Sequence, residues 1–268
     1  MLTAQTRARM KTVALPAEHG SWAFLLEPIL LGLLVAPSAP GLFLAVAGAG
    51  MFLLHHPLRL ARGDWRRGLR APRTRLATRF VVFYGALAVV GLWAALSLAS
   101  PAILLPLLLA FPPVAILMLI YDALARRRAL LIELAGPVAL GALAPAIALA
   151  AGWAGAPALG LWAILVARSV PSILYIRARL RLERGQSVRL APPVAVHLGF
   201  LIALGLMAWG GLAPALTVVA EAVLLLRAAR GLSARRESPI RPQKLGFLEV
   251  GYGLVTVLIV ALGYWAGL

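Results

Sequence analysis

Apolar runs of about 20 residues recur along the chain, each bounded by Pro, Gly or a cluster of Arg. The runs fall at about 19–36, 41–58, 80–99, 102–120, 129–151, 157–176, 192–211, 212–228 and 246–266. Each approaches the roughly 20 residues that a helix needs to cross about 30 Å of hydrocarbon. Breaks are marked by Pro37 and Pro40, Ser100-Pro101, Gly155 with Pro157, and Gly210-Gly211. The seventh and eighth runs share a very short hinge. The pattern predicts an all-α, polytopic membrane protein of about nine transmembrane helices, with an N-terminal tail over 1–18 and a single membrane domain over 1–268. The longest polar stretch, Arg59 to Arg79, is too short to bury a second core.

Composition agrees with that pattern: 62% of the residues are hydrophobic, against roughly half in a soluble domain. The net charge of +17 raises the question of nucleic acid. Its distribution answers it, because the basic residues sit between the apolar runs. They occupy the N-terminal tail, Arg59–Arg79, Arg126–Arg128, Arg177–Arg189 and Arg227–Lys244. The intervening connections contain none, and every basic residue except Arg168 falls in one set. Short loops on the cytoplasmic side carry excess Lys and Arg. With nine helices this alternation puts the N-terminus inside and the C-terminus outside, and no nucleic-acid partner is expected. Cysteine is absent, which excludes disulfides and thiolate metal sites. No small-residue cleavage site follows the first apolar run, so that run is expected to remain in the mature protein.

A charge at the centre of a bilayer costs at least ~2.5–3.5 kcal/mol, so it persists when paired, hydrated or useful. Arg168 lies inside the sixth run, and Glu27 reaches a matching depth in the first. The two can pair across helices, either to fix packing or as part of a site, and Glu221 is a rival partner. Glu133 and Glu249 lie one turn into their runs, where a carboxylate suits a helix N-terminus. Asp122 ends the fourth run. All these groups fall in the basic half of the spans, as in a cavity open to one side only. Arg168, Ser172, Tyr175 and Arg179 follow at spacings of four, three and four and so share one helical face. Pro171 removes a backbone donor within it and predicts a kink. Guanidinium groups suit bidentate binding of phosphate or carboxylate, so this face is a candidate grip for an anionic head. His55, Arg59, Arg62 and Arg66 line another face. Adjacent histidines point apart, and His55 and His56 have no third ligand at metal-site spacing, so no metal is expected there. Glu18 and His19, at the start of the first helix, are either cap and anchor or the mouth of the cavity.

The opening Pro16-x-Glu18-His19-Gly20-Ser21-Trp22, then Glu27-Pro28 and Gly32, resembles the YwiC-like family of bacterial membrane proteins. His56-Pro57-Leu58 and the run from Arg168 to Arg179 share that resemblance. It implies a bacterial plasma-membrane protein but no particular activity. More remotely, the layout is similar to the UbiA superfamily of intramembrane prenyltransferases, which have nine helices and a cytoplasm-side active site. Pro28-x-x-x-Gly32 and the stretch Tyr121, Arg126–Arg128, Glu133 and Gly136 carry that likeness, which implies a UbiA-like bundle. The superfamily holds Mg²⁺ and a prenyl diphosphate with two Asp-rich motifs. Here the first position reads His55 to Asp64 with one acid, and the second is Arg-rich with only Glu183. Mg²⁺ is a hard cation that wants several oxygen ligands, so the residues give no ground for it, and no cofactor is predicted.

The resulting expectation is an intramembrane binder or divergent transferase for an amphipathic anion: a prenyl, quinone-precursor or phospholipid molecule. Its candidate ligand-binding residues are Arg168, Ser172, Tyr175, Arg179, Glu27, His19, Glu18, His55 and Arg59. A transporter of an organic anion and an assembly factor for a respiratory complex are the alternatives. The site reading requires Arg168 to be buried rather than turned to lipid.

Overall fold

The computed structural model describes residues 10–16, 19–69, 71–123, 130–233 and 240–268, and among them there is no β-strand. After a helical stretch at 10–14 come α1 (His19–Val35), α2 (Ala39–Trp65), α3 (Pro72–Leu98) and α4 (Leu104–Ala123). Then follow α5 (Leu130–Gly141), α6 (Leu143–Ala150), α7 (Gly155–Glu183), α8 (Ala191–Trp209), α9 (Leu216–Ser233) and α10 (Pro242–Ala266). Every apolar run is helical. Six helical segments are long and apolar enough to cross a membrane by length and composition: α2, α3, α5 with α6, α7, α8 and α10. The apolar parts of α1 and of the α4 segment are shorter, and α9 carries Glu221, Arg227 and Arg230. The chain is an all-α, multi-pass membrane protein.

Helices overrun the apolar stretches at their basic ends. Hydropathy puts Arg59, Arg62, Arg73, Arg75, Arg79, Arg177, Arg179, Arg181, Arg227 and Arg230 in loops, yet all are helical. Hydropathy marks the bilayer, whereas Arg, Ala and Leu continue a helix into water readily. At 27 residues, α2 and α3 are each ~40 Å long at 1.5 Å per residue. Starts are set by local chemistry: Ser38 Oγ accepts from Gly41 N at 3.1 Å, with proline in the first turn of α2. The fifth run is broken at Ala142, where Pro145 has no N–H to offer Gly141.

The most buried of the candidate spans is α7, at 61%, and it packs on α1, α5, α6, α8, α9 and α10. Its neighbour α1 also packs on α2, α5, α6 and α10. The α2–α3 hairpin lies to one side and joins the rest through α1 and α6. Its helices touch backbone to backbone. A Cβ on Gly50 would sit 2.8 Å from Ala88 N, and one on Gly91 would sit 2.8 Å from Phe43 O. Small residues at such crossings are how membrane helices gain close packing. Outward faces are apolar, with Val89 at 69% and Trp209 at 88% exposure, a surface for lipid.

Candidate functional site

Arg168 lies in the middle of α7 and is 3% exposed. Its Nη1 donates to Ser172 Oγ at 2.6 Å, one turn along the same helix. Its Nη2 donates to Glu27 Oε1 on α1 at 3.2 Å and to the Glu249 carbonyl on α10 at 2.9 Å. The pairing of Arg168 with Glu27 anticipated from depth is therefore present, and so is the burial of Arg168. A glycine makes room for it, because a Cβ at Gly253 would fall 1.8 Å from Glu27 Oε1.

A second arginine completes the group. Arg227 of α9, 7% exposed, donates to both carboxylate oxygens of Glu249 and, through Nη2, to Ser172 Oγ at 3.2 Å. Its Cζ lies 4.3 Å from the Tyr175 ring centroid and 5.3 Å from that of Tyr252, a geometry in which aromatic faces attract a cation. Four helices thus supply two guanidinium and two carboxylate groups, whose formal charges cancel. That balance is what allows them inside an apolar bundle, since an unpaired buried charge is far costlier. Two donors are left over: the Nε atoms of Arg168 and Arg227 have no acceptor among the described residues.

Arg179, 1% exposed, is engaged elsewhere. It donates to the Gly231 carbonyl and pairs with Glu183 at 2.5 Å, and Glu183 also accepts from Ile240 N at 3.1 Å. This clasp ties the basic ends of α7 and α9 to the start of α10. Tyr175 stands between the clasp and the inner network, with its hydroxyl where a Cβ of Gly231 would be. Beside them a pocket of about 320 Å³ opens between α9 and α10. Tyr175, Arg227, Arg230, Glu249 and Tyr252 form its polar lining, and Val223, Leu226, Leu245 and Leu248 its apolar wall.

Other expected residues lie apart. His55 and Arg59 are on an exposed face of α2, which packs on α1, α3 and α6 rather than supplying the network. His56 Nε2 bonds the Thr12 carbonyl at 3.0 Å. Glu221 pairs with buried His197 at 2.7 Å, not with Arg168. Glu133 pairs with Arg177 across the surface at 2.5 Å. Glu249, read from sequence as a helix-start carboxylate, is instead buried in the network, and Arg227, read as a loop cation, is interior. Expectations for Glu18, Arg126–Arg128 and the side chains of His19 and Asp122 fall outside the described residues. A signal for Arg227 existed: Thr217, Ala220, Glu221, Leu224, Arg227 and Ala228 recur at helical spacing and form the buried stripe of α9.

The two acids in the stretches that the resemblance compares with Asp-rich motifs, Asp64 and Glu183, are both engaged by neighbouring groups. Asp64 is held by Arg73 at 2.5 Å and Thr74 at 2.8 Å, and Glu183 by the clasp. Among the described residues, no three His, Asp or Glu side chains converge.

The model of one protein family, described as YwiC-like protein, matches residues 15–148, half of the chain. The chain belongs to the YwiC-like family. The match takes in Glu27, His56-Pro57 and the α2–α3 hairpin and ends within α6. The Arg168–Arg179 run of this YwiC-like protein, with α8, α9 and α10, lies beyond it. No curated protein and no solved structure matches the chain.

Proposed function

We propose that this protein binds an amphipathic anionic molecule (a prenyl, quinone-precursor or phospholipid species) inside a bacterial plasma membrane, from the cytoplasmic side. The observation that carries the reading is the continuity between the buried charge network and the pocket: Tyr175, Arg227, Glu249 and Tyr252 belong to both. Ionisable groups kept at membrane depth mark functional sites by default. A purely packing role would be served as well by apolar side chains of similar volume. The excess of Arg at one end supports an N-terminus inside and a C-terminus outside. The UbiA-like reading rests on the sequence resemblance, with guanidinium groups where that superfamily places carboxylates and metal.

Native mass spectrometry of the gently purified protein tests this. A stoichiometric anionic amphiphile in wild type, weakened in Arg227→Lys with helicity unchanged by circular dichroism, supports it. Absence of any such species, with no binding of added anionic lipid or prenyl phosphate, refutes it. Conversion of labelled prenyl diphosphate would extend the reading to a transferase, and ligand uptake into liposomes would replace binding with transport.

A further inference from the structure

Two facing stripes build the pocket. On α9, Val223, Leu226, Arg227 and Arg230 recur at helical spacing, and on α10 so do Leu248 and Tyr252. The helices run in opposite directions, so the groove extends from Arg230, one turn from the end of α9, inward to Val223. That distance is seven residues, ~10 Å at 1.5 Å per residue. Leu226 and Leu248, 49% and 45% exposed, open the groove sideways onto the surface that faces lipid. Among the described residues its charge is not balanced. Glu249 neutralises Arg227, whereas exposed Arg230 has no carboxylate partner among the described residues. The Arg227 side chain is 5% exposed, lines the groove and retains an unused Nε–H.

From these observations we propose that the α9–α10 groove is a lateral binding site for an anionic phospholipid of the surrounding leaflet. Its phosphate rests between Arg230 and Arg227, and an acyl chain lies along Leu226 and Leu248. The inference rests on the amphiphile-binding reading and adds the site, the direction of approach and the ligand class. A guanidinium at the mouth and a second on the inner wall suit a phosphate, whose several oxygens accept from both. A lateral opening between exposed leucines suits a molecule already resident in the bilayer. The pocket volume of about 320 Å³ takes a headgroup and the first part of a chain, not a whole lipid, which places the remaining chain outside against the helices.

The test uses the full-length protein in neutral detergent and follows binding of phosphatidylglycerol, phosphatidylcholine and farnesyl phosphate by native mass spectrometry. The variants are Arg230→Gln, Arg230→Lys, Leu248→Trp and, as a control arginine outside the groove, Arg181→Gln. Arg230 and Arg181 are both exposed, so neither change disturbs the core. Wild type is expected to prefer phosphatidylglycerol to phosphatidylcholine. Arg230→Gln should weaken that binding about tenfold, as loss of one charge-assisted hydrogen bond would. Arg230→Lys should recover part of it, Leu248→Trp should block it, and Arg181→Gln should leave it unchanged. Equal losses in Arg230→Gln and Arg181→Gln overturn the proposal in favour of diffuse electrostatics. Retained lipid that is insensitive to Arg230→Gln and Leu248→Trp overturns the groove but leaves the amphiphile reading standing. Tighter binding of farnesyl phosphate than of phosphatidylglycerol overturns the phospholipid assignment. No binding of any anionic probe overturns both readings.

Discussion

Gly253→Ala is the sharpest probe of the buried network, because a single methyl group meets the Glu27–Arg168 pair directly. The added Cβ would lie 1.8 Å from Glu27 Oε1 and 3.0 Å from Arg168 Nη2. Carbon and oxygen need well over 3 Å, so the carboxylate must retreat by more than an ångström. Its bond from Arg168 Nη2, 3.2 Å long, then breaks. A hydrogen bond to a charged group contributes about 1.5–3 kcal/mol, and an uncompensated buried charge raises the loss to about 3–5 kcal/mol. The expected destabilisation of Gly253→Ala is therefore about 2–4 kcal/mol, read by equilibrium unfolding in mixed micelles. The same substitution in a Glu27→Ala background should cost under about 1 kcal/mol, because the carboxylate is gone, its bond to Arg168 is already lost, and the remaining 3.0 Å neighbour, Arg168 Nη2, is the end of a long side chain that can shift. The cycle should thus show coupling of at least ~1 kcal/mol. Additive effects would mean that the methyl group acts on α10 alone, and the reasoning from the Glu27–Arg168 contact would fail.

Three further outcomes follow from the same physics. Arg227→Met should cost about 3–5 kcal/mol by leaving two buried carboxylates to one guanidinium, with Glu249 kept only by its 3.8 Å contact to Arg168, and pairing it with Glu249→Met should restore most of the stability in a thermal-shift assay; a double variant no better than the single would contradict charge balance as the organising feature. Glu221→Leu should cost about 1–3 kcal/mol by removing the hydrogen-bond partner of His197 Nδ1, while Glu221→Gln, which can accept or donate there, should cost less; equal costs in the unfolding assay would remove the His197 bond as the cause. The chain has no cysteine, so Ser187→Cys and Ala151→Cys can be labelled cleanly, and an impermeant maleimide on intact cells should reach only Ala151→Cys. Labelling of Ser187→Cys would reverse the proposed orientation.

The fold was largely legible because one solvent property governs it: lipid forces apolar runs into helices, and runs are visible in sequence. Helix ends were less legible, since Arg59, Arg62, Arg177 and Arg181 favour water without disfavouring helix. The inner site was half legible. Arg168 and Glu27 announced themselves as charges within apolar runs at matching depth. Glu249 and Arg227 hid near the ends of theirs, where a carboxylate at a helix start and an arginine at a membrane edge are ordinary. Depth along a helix can be counted from sequence, but which way a charge turns depends on the neighbours. Gly231 and Gly253, which let Tyr175 and Glu27 come close, gave no sign of that role.

Charge balance also decides which arginine can serve an anion. Arg168 is enclosed by Glu27, Ser172 and Glu249, and a ligand that displaced either carboxylate would have to repay the loss of a buried pair. Arg179 is likewise committed to Glu183 and to the Gly231 carbonyl. Within the face first singled out on α7, then, the cations are occupied, and what that face contributes is position. Ser172 accepts from Arg227, and Tyr175 lies under its guanidinium, so α7 holds Arg227 at the wall of the groove with one N–H unused. Arg230, which has no carboxylate partner among the described residues, adds its charge one turn nearer the basic end. On the proposed reading, a self-neutral core lets the inner arginine stay folded in lipid while the exposed outer one attracts the ligand. Neutralising Arg230 should accordingly weaken binding with little effect on stability, and substituting Arg168 should do the reverse.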